Sequence, residues 1–195
     1  MINIKKWLSI EWFFHASTRQ VPRLFGLGLI VLLAGMVLGL GFAPTDAQQG
    51  DAYRMMFVHV PCAVGGMTIY AGMAMCSVLH WGWHIKLADV CATAFAPLGA
   101  VLTALALCTG AIWGQPMWGT WWVWDARLTS CLVLLFLYLG VMALRQSISD
   151  GTQAARVCAW VTLVGALDLP IIHYSVNWWH TLHQKSTLLA FKTPS

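Results

Sequence analysis

The chain has 195 residues, 59% of them hydrophobic and only 9% charged, with a mean hydropathy of +0.69. Soluble domains carry about 25% charged residues, so a water-soluble fold is excluded and an integral membrane protein is implied. The formal charge of +4 is scattered, with no basic run that would engage nucleic acid.

In chain order, residues 1–23 come before any apolar run. Trp7, Leu8, Ile10, Trp12, Phe13 and Phe14 alternate there with Lys5, Lys6 and Glu11, which predicts an amphipathic helix lying on the inner leaflet. The first span is predicted over 24–42; it is long enough to stay in the membrane, so no cleavable signal peptide is read here. The second, over 55–79, carries His59 and Pro61 at its start, and Pro61 is expected in the first helical turn. HWGWH follows, with His80 and His84 four apart and able to share a helical face. The third span covers 87–113, the fourth 128–144 and the fifth 157–172, the last interrupted by Asp168 and Pro170. Asp168, an acid inside a span, reads equally as a structural or a functional group. The tail 173–195 carries His173, Asn177 and His180 at helical spacing, then His183; its Leu188–Phe191 run is too short to cross.

The expected fold is therefore all-α: a polytopic transmembrane helix bundle of five spans over 24–172, one membrane domain across 1–195. Glycines at 35, 39, 66 and 72 suit close helix approach. Cys62, Cys76, Cys91, Cys108, Cys131 and Cys158 lie in apolar runs without CxxC spacing and read as small core residues. Lysines and arginines orient the spans. With the N-terminus cytoplasmic, seven (Lys5, Lys6, Arg19, Arg23, Lys86, Arg145, Arg156) fall inside and four (Arg54, Arg127, Lys185, Lys192) outside. Residues 43–54, 113–127 and 173–195 then share the outer face.

The most informative stretch on that face is WGQPMWGTWWVWDARLT at 113–129, which holds five of the twelve tryptophans: Trp113, Trp118, Trp121, Trp122 and Trp124. Interfacial tryptophans commonly serve as belt anchors, but this density, followed by Asp125 and Arg127, suits a flat aromatic ligand, and haem is the candidate. Porphyrin faces stack on indoles. Haem iron takes imidazoles from both sides of the ring, so ligands from distant segments are needed, and His59 and His183 meet that requirement. Arg54 and Arg127 are the outer cations available for the propionates. Asp125 and Arg127 also read as a local ion pair capping the fourth span. The chain has no GxxxxGK(S/T) run, nucleophile elbow, HExxH or glycine-rich dinucleotide turn, so neither an ATPase nor an enzyme with turnover chemistry of its own is expected.

WGTWWVWDARLTS at 118–130, YRMMFVHVP at 53–61 and LPIIHYSVNWWHTLHQKST at 169–187 resemble the haem exporter protein C family of cytochrome c-type biogenesis proteins in bacterial inner membranes. The resemblance implies binding of haem b at the periplasmic face between the tryptophan motif and an axial pair falling on His59 and His183. It further implies delivery to a membrane-tethered haem chaperone, in company with a small single-span subunit and an ABC-type membrane subunit with its ATPase. Such proteins have six spans, so a sixth is expected beyond Ser195. The alternatives left open are a membrane-bound b-type cytochrome carrying electrons and a haem-conducting channel.

Overall fold

The computed structural model describes residues 9–179, and every regular element among them is a helix. α1 spans Ile10–Met36 and is prolonged by a wider π-helical turn, Val37–Phe42. A 3-10 turn, Asp51–Met55, leads into α2 (Met56–Trp83). α3 is Lys86–Trp118, α4 Ala126–Ser147, α5 Gly151–Gly165 and α6 Asp168–Trp178. Five stretches are long and apolar enough to cross a membrane: Ile10–Phe42, Asp51–Trp83, Lys86–Trp118, Ala126–Ser147 and Gly151–Trp178. The chain is a multi-pass membrane protein, and helices are the form that satisfies backbone groups inside lipid.

Side chains and left-handed residues set the helix ends. The Ser9 hydroxyl accepts the Trp12 amide, and Asp150 accepts the amides of Thr152 and Gln153. α2 stops where His84 takes φ 54°, and α3 stops at Gly119, φ 75°.

Several bounds differ from the sequence reading. Residues 10–19, expected to lie apart as an interfacial helix, are the first turns of α1, which runs through Pro22 unbroken. A 33-residue helix is about 50 Å long against a hydrocarbon core of about 30 Å. Its charged N-terminal turns, with Glu11, Arg19 and Arg23, therefore extend past the apolar layer. Pro61 stands six residues into α2 because the 3-10 turn and Met56 begin the helix earlier. The last span is a broken helix: Ala166 and Leu167 separate α5 from α6, and α6 carries the chain past residue 172 to Trp178. His84 caps α2 in left-handed backbone, so it does not share a helical face with His80.

The core lies among α2–α6, around Tyr70, Met73, Leu134, Tyr138 and Ile172. Tyr70 and Tyr138 meet edge to face at 5.0 Å, and the Tyr138 hydroxyl donates to the Gly66 carbonyl at 2.7 Å. Glycine makes this possible: a side chain at Gly99 would occupy the Tyr138 ring, and one at Gly165 the Tyr70 hydroxyl. Gly66 packs on Thr103 and Gly72 on Phe95, as close helix approach requires. A side chain at Gly35 would meet open space, whereas Gly39 packs on Phe57 and is the buried residue of the first span. α1 thus stands at the edge of the bundle with its leucines and valines exposed. All six cysteines are unpaired; Cys62 and Cys158 are buried, and Cys108 is exposed.

The up-and-down order collects the 43–55 connection, the end of α3, the start of α4 and the end of α6 at one end of the bundle. The α2–α3 and α4–α5 turns lie at the other.

Candidate functional site

At the first of these ends, His59 is held from across the bundle. Its Nδ1 lies 3.0 Å from the Ala106 carbonyl and 3.2 Å from Thr109 Oγ1, both on α3. A carbonyl only accepts, so Nδ1 carries the proton and the lone pair sits on Nε2. That is the tautomer in which histidine binds a metal, oriented through its other nitrogen. The ring stands edge-on to Trp113 at 5.8 Å. Gly110 makes the room: a Cβ there would come within 2.9 Å of His59 Cε1. Trp113 is fixed in turn by its Nε1–H, which donates to Gln49 Oε1 at 3.1 Å and so ties the first connection to α3.

The tryptophan-rich stretch is half helix and half loop. Trp113 and Trp118 belong to α3, and the irregular part runs only from Gly119 to the cap of α4. Trp118 packs against Gly114. Trp121 and Trp124 are 61% and 76% exposed, while Trp122 is half-buried and meets Trp124 edge-on at 5.4 Å. The loop holds its form through the Thr120 hydroxyl, which donates to the Trp122 carbonyl at 3.1 Å.

Asp125 is buried, and its Oδ1 accepts the Leu128 amide at 2.8 Å. It is the N-cap of α4. Arg127, two residues on, is half-buried within electrostatic reach of Asp125. Arg54 donates from Nη2 to the Ala43 carbonyl at 3.1 Å and lies 3.5 Å from Asp51. Arg54 Nε, Trp122 Nε1 and Arg127 Nε are all buried without an acceptor. Buried donors are nearly always paired, and each orphan costs about 1–3 kcal/mol. All three lie at the tryptophan end of the bundle.

A family profile described as "Heme exporter protein C" matches residues 3–195. The "Heme exporter protein C" of Escherichia coli strain K12 is 53% identical over 167 residues, covering 86% of this chain and 68% of that protein. That of Haemophilus influenzae is 50% identical over 194 residues, covering 97% and 79%. A mitochondrial protein of Marchantia polymorpha, named as ccmC-like and for cytochrome c biosynthesis, is 41% identical over 182 residues, covering 93% and 77%. The chain belongs to the haem exporter protein C family.

In this haem exporter protein C family member, the residues singled out from sequence fall into three groups. His59 with Trp113, Trp122 with Trp124, and Asp125 with Arg127 are brought together in pairs at one end. His173 lies in α6, exposed and edge-on to Tyr174 at 4.7 Å, with Asn177 one turn further. His180 and His183 lie outside the described residues, so the axial role of His183 rests on the sequence alone. The sequence reading missed Gln49, Thr109 and Gly110. Two of them orient His59 or leave room for it from α3 and the third anchors Trp113; only their repeated occurrence beside FVHVP and the tryptophan run in relatives would have exposed them. Asp168, at the start of α6, has Ser130 as its neighbour and one buried carboxylate oxygen without a partner.

Proposed function

We propose that this protein binds haem b at the tryptophan end of the bundle and hands it to a membrane-tethered haem chaperone for cytochrome c maturation. Haem is cargo here, and no turnover chemistry is assigned to the chain. The observation that carries this reading is the set of orphan donors on Arg54, Trp122 and Arg127, at the same end as an imidazole oriented through Nδ1 by the Ala106 carbonyl. Haem supplies both complements: an iron for Nε2 and two propionates for the buried N–H groups. Trp121 and Trp124, largely exposed, give its apolar face an indole shelf. His183 is proposed as the second axial ligand.

The excess of lysine and arginine on the other side supports a periplasmic site and a cytoplasmic N-terminus in a bacterial inner membrane. The family resemblance supports a small single-span subunit and an ABC-type membrane subunit with its ATPase as partners. An electron-carrying b-type cytochrome is less well supported. His59 and His80 are the histidines on α2, and the 21 positions between them put them about 30 Å apart along the axis, too far to share an iron.

The test is the haem absorption of protein purified from membranes. His59→Ala and His183→Ala should each abolish or shift it, and added imidazole should partly restore it. Unchanged spectra in both variants overturn the axial assignment. Trp121, Trp122 and Trp124 replaced together by Ala should leave the membrane level unchanged and stop transfer to the chaperone.

A further inference from the structure

At the end opposite the tryptophan loop a cavity of about 220 Å³ opens among α2, α3, α4 and α5. Protein interiors pack densely, and voids beyond the size of a water molecule are few. At about 220 Å³ it is several times the roughly 30 Å³ that one water molecule takes up in the liquid. Met73, Ala96 and Thr162 line its deep part, and His80, Asp89 and Ala155 line its mouth, seven residues away along their respective helices. Seven residues of helix rise about 10 Å, so the cavity is a slot running along the helices. Its walls are mainly carbon.

The mouth is polar and basic. Arg145 grips Asp89 through two parallel hydrogen bonds of 2.9 and 2.7 Å, which uses two of its five N–H donors and neutralises the acid. His80 Nδ1 lies 3.4 Å from the Ile85 carbonyl, which leaves Nε2 as its second polar atom. Next to it, His80, Trp81, His84 and Arg156 line a second hollow. Trp81 and Trp160 meet edge-on at 4.8 Å and are half exposed, as indoles are at the level of lipid headgroups.

We propose that this is a binding site for an anionic phospholipid. Part of one acyl chain fills the slot between the four helices, and the phosphate meets His80, Arg156 and the remaining donors of Arg145. Size selects a chain over a macrocycle, since pockets that bury drug-sized rigid ligands run from about 300 to 1,000 Å³. Charge selects an acidic head: once Arg145 and Asp89 cancel, Arg156 and Lys86 outnumber Asp150 at this end. Basic pockets between membrane helices bind anionic headgroups in this manner. The site is separate from the tryptophan end and does not depend on the haem reading.

The experiment is native mass spectrometry of the full chain purified from membranes that contain phosphatidylglycerol and phosphatidylethanolamine. One phosphatidylglycerol should be retained per wild-type chain, and equally in His59→Ala. Ala92→Phe and Ala159→Leu, which fill the slot from two different helices, should each lower retention about tenfold, equivalent to 1.4 kcal/mol. Arg156→Gln, at an exposed position, should abolish the preference for the anionic lipid. Wild-type protein that retains no phospholipid overturns the proposal. So does retention that Arg156→Gln leaves unchanged, or haem found in the slot in place of lipid.

Discussion

Two histidines on one helix make the instructive comparison. His59 and His80 both sit on α2, near its opposite ends, both half-buried, and both with Nδ1 on a backbone carbonyl. For His59 that carbonyl belongs to Ala106, 47 positions away on another helix, at 3.0 Å, with Thr109 behind it. For His80 it belongs to Ile85, five positions on in the adjoining turn, at 3.4 Å. The first bond is set by how α2 packs on α3 and holds the ring in one orientation. The second is long and moves with its own turn. A second helix therefore fixes the His59 ring, whereas the His80 ring is held from its own turn.

The comparison can be broken most directly at the rings themselves. His59→Ala should weaken haem binding by more than about a hundredfold, since even the partners that orient a metal-bound histidine are worth about 10–100-fold. His80→Ala should leave haem absorption as in the wild type. Equal losses in the two variants, read by absorption titration, would abolish the distinction.

At the far end the comparison turns on stability. Arg145→Ala leaves the partly buried Asp89 carboxylate without its partner and should destabilise the protein by about 1–3 kcal/mol, between the values for exposed and buried pairs. Arg145→Ala with Asp89→Ala should recover much of that loss. Thermal unfolding in detergent measures both, and a single variant as stable as wild type would show that the pair contributes nothing.

The support of His59 gives a finer test. Gly110→Ala places a methyl within 2.9 Å of the ring and should weaken haem binding about tenfold at unchanged membrane level. Gly140→Ala, with open space at its Cβ, is the matched control and should change nothing.

The smallest effect concerns the loop. Asp125→Ala removes the cap of α4 and should cost about 1 kcal/mol, whereas Asp125→Asn, a comparable cap, should cost only a few tenths. If Asn loses haem transfer as fully as Ala while keeping stability, the carboxylate charge serves the cargo as well as the helix.

Composition and spacing alone determined that this chain is a helical membrane protein with five apolar runs long enough to span, and that 43–54, the tryptophan run and the end of the last span share one side; its place among haem-handling proteins came from the resemblance of its motifs to a known family. Those are properties of local runs: hydropathy adds up along one helix, and the parity of crossings follows from counting. Helix ends were less legible. Trp113–Trp118 continue α3, and residues 10–19 continue α1, because indoles and scattered charges near a headgroup layer stay helical as readily as they form loops. Tertiary structure decided the rest. Only packing could reveal that Ala106 and Thr109 aim His59, that Gly110 and Gly99 are glycines to admit an imidazole and a phenol ring, that three N–H donors are buried without acceptors, and that a slot opens at the far end. Each of these depends on a side chain meeting an atom tens of positions away, and no period within a single helix encodes that meeting.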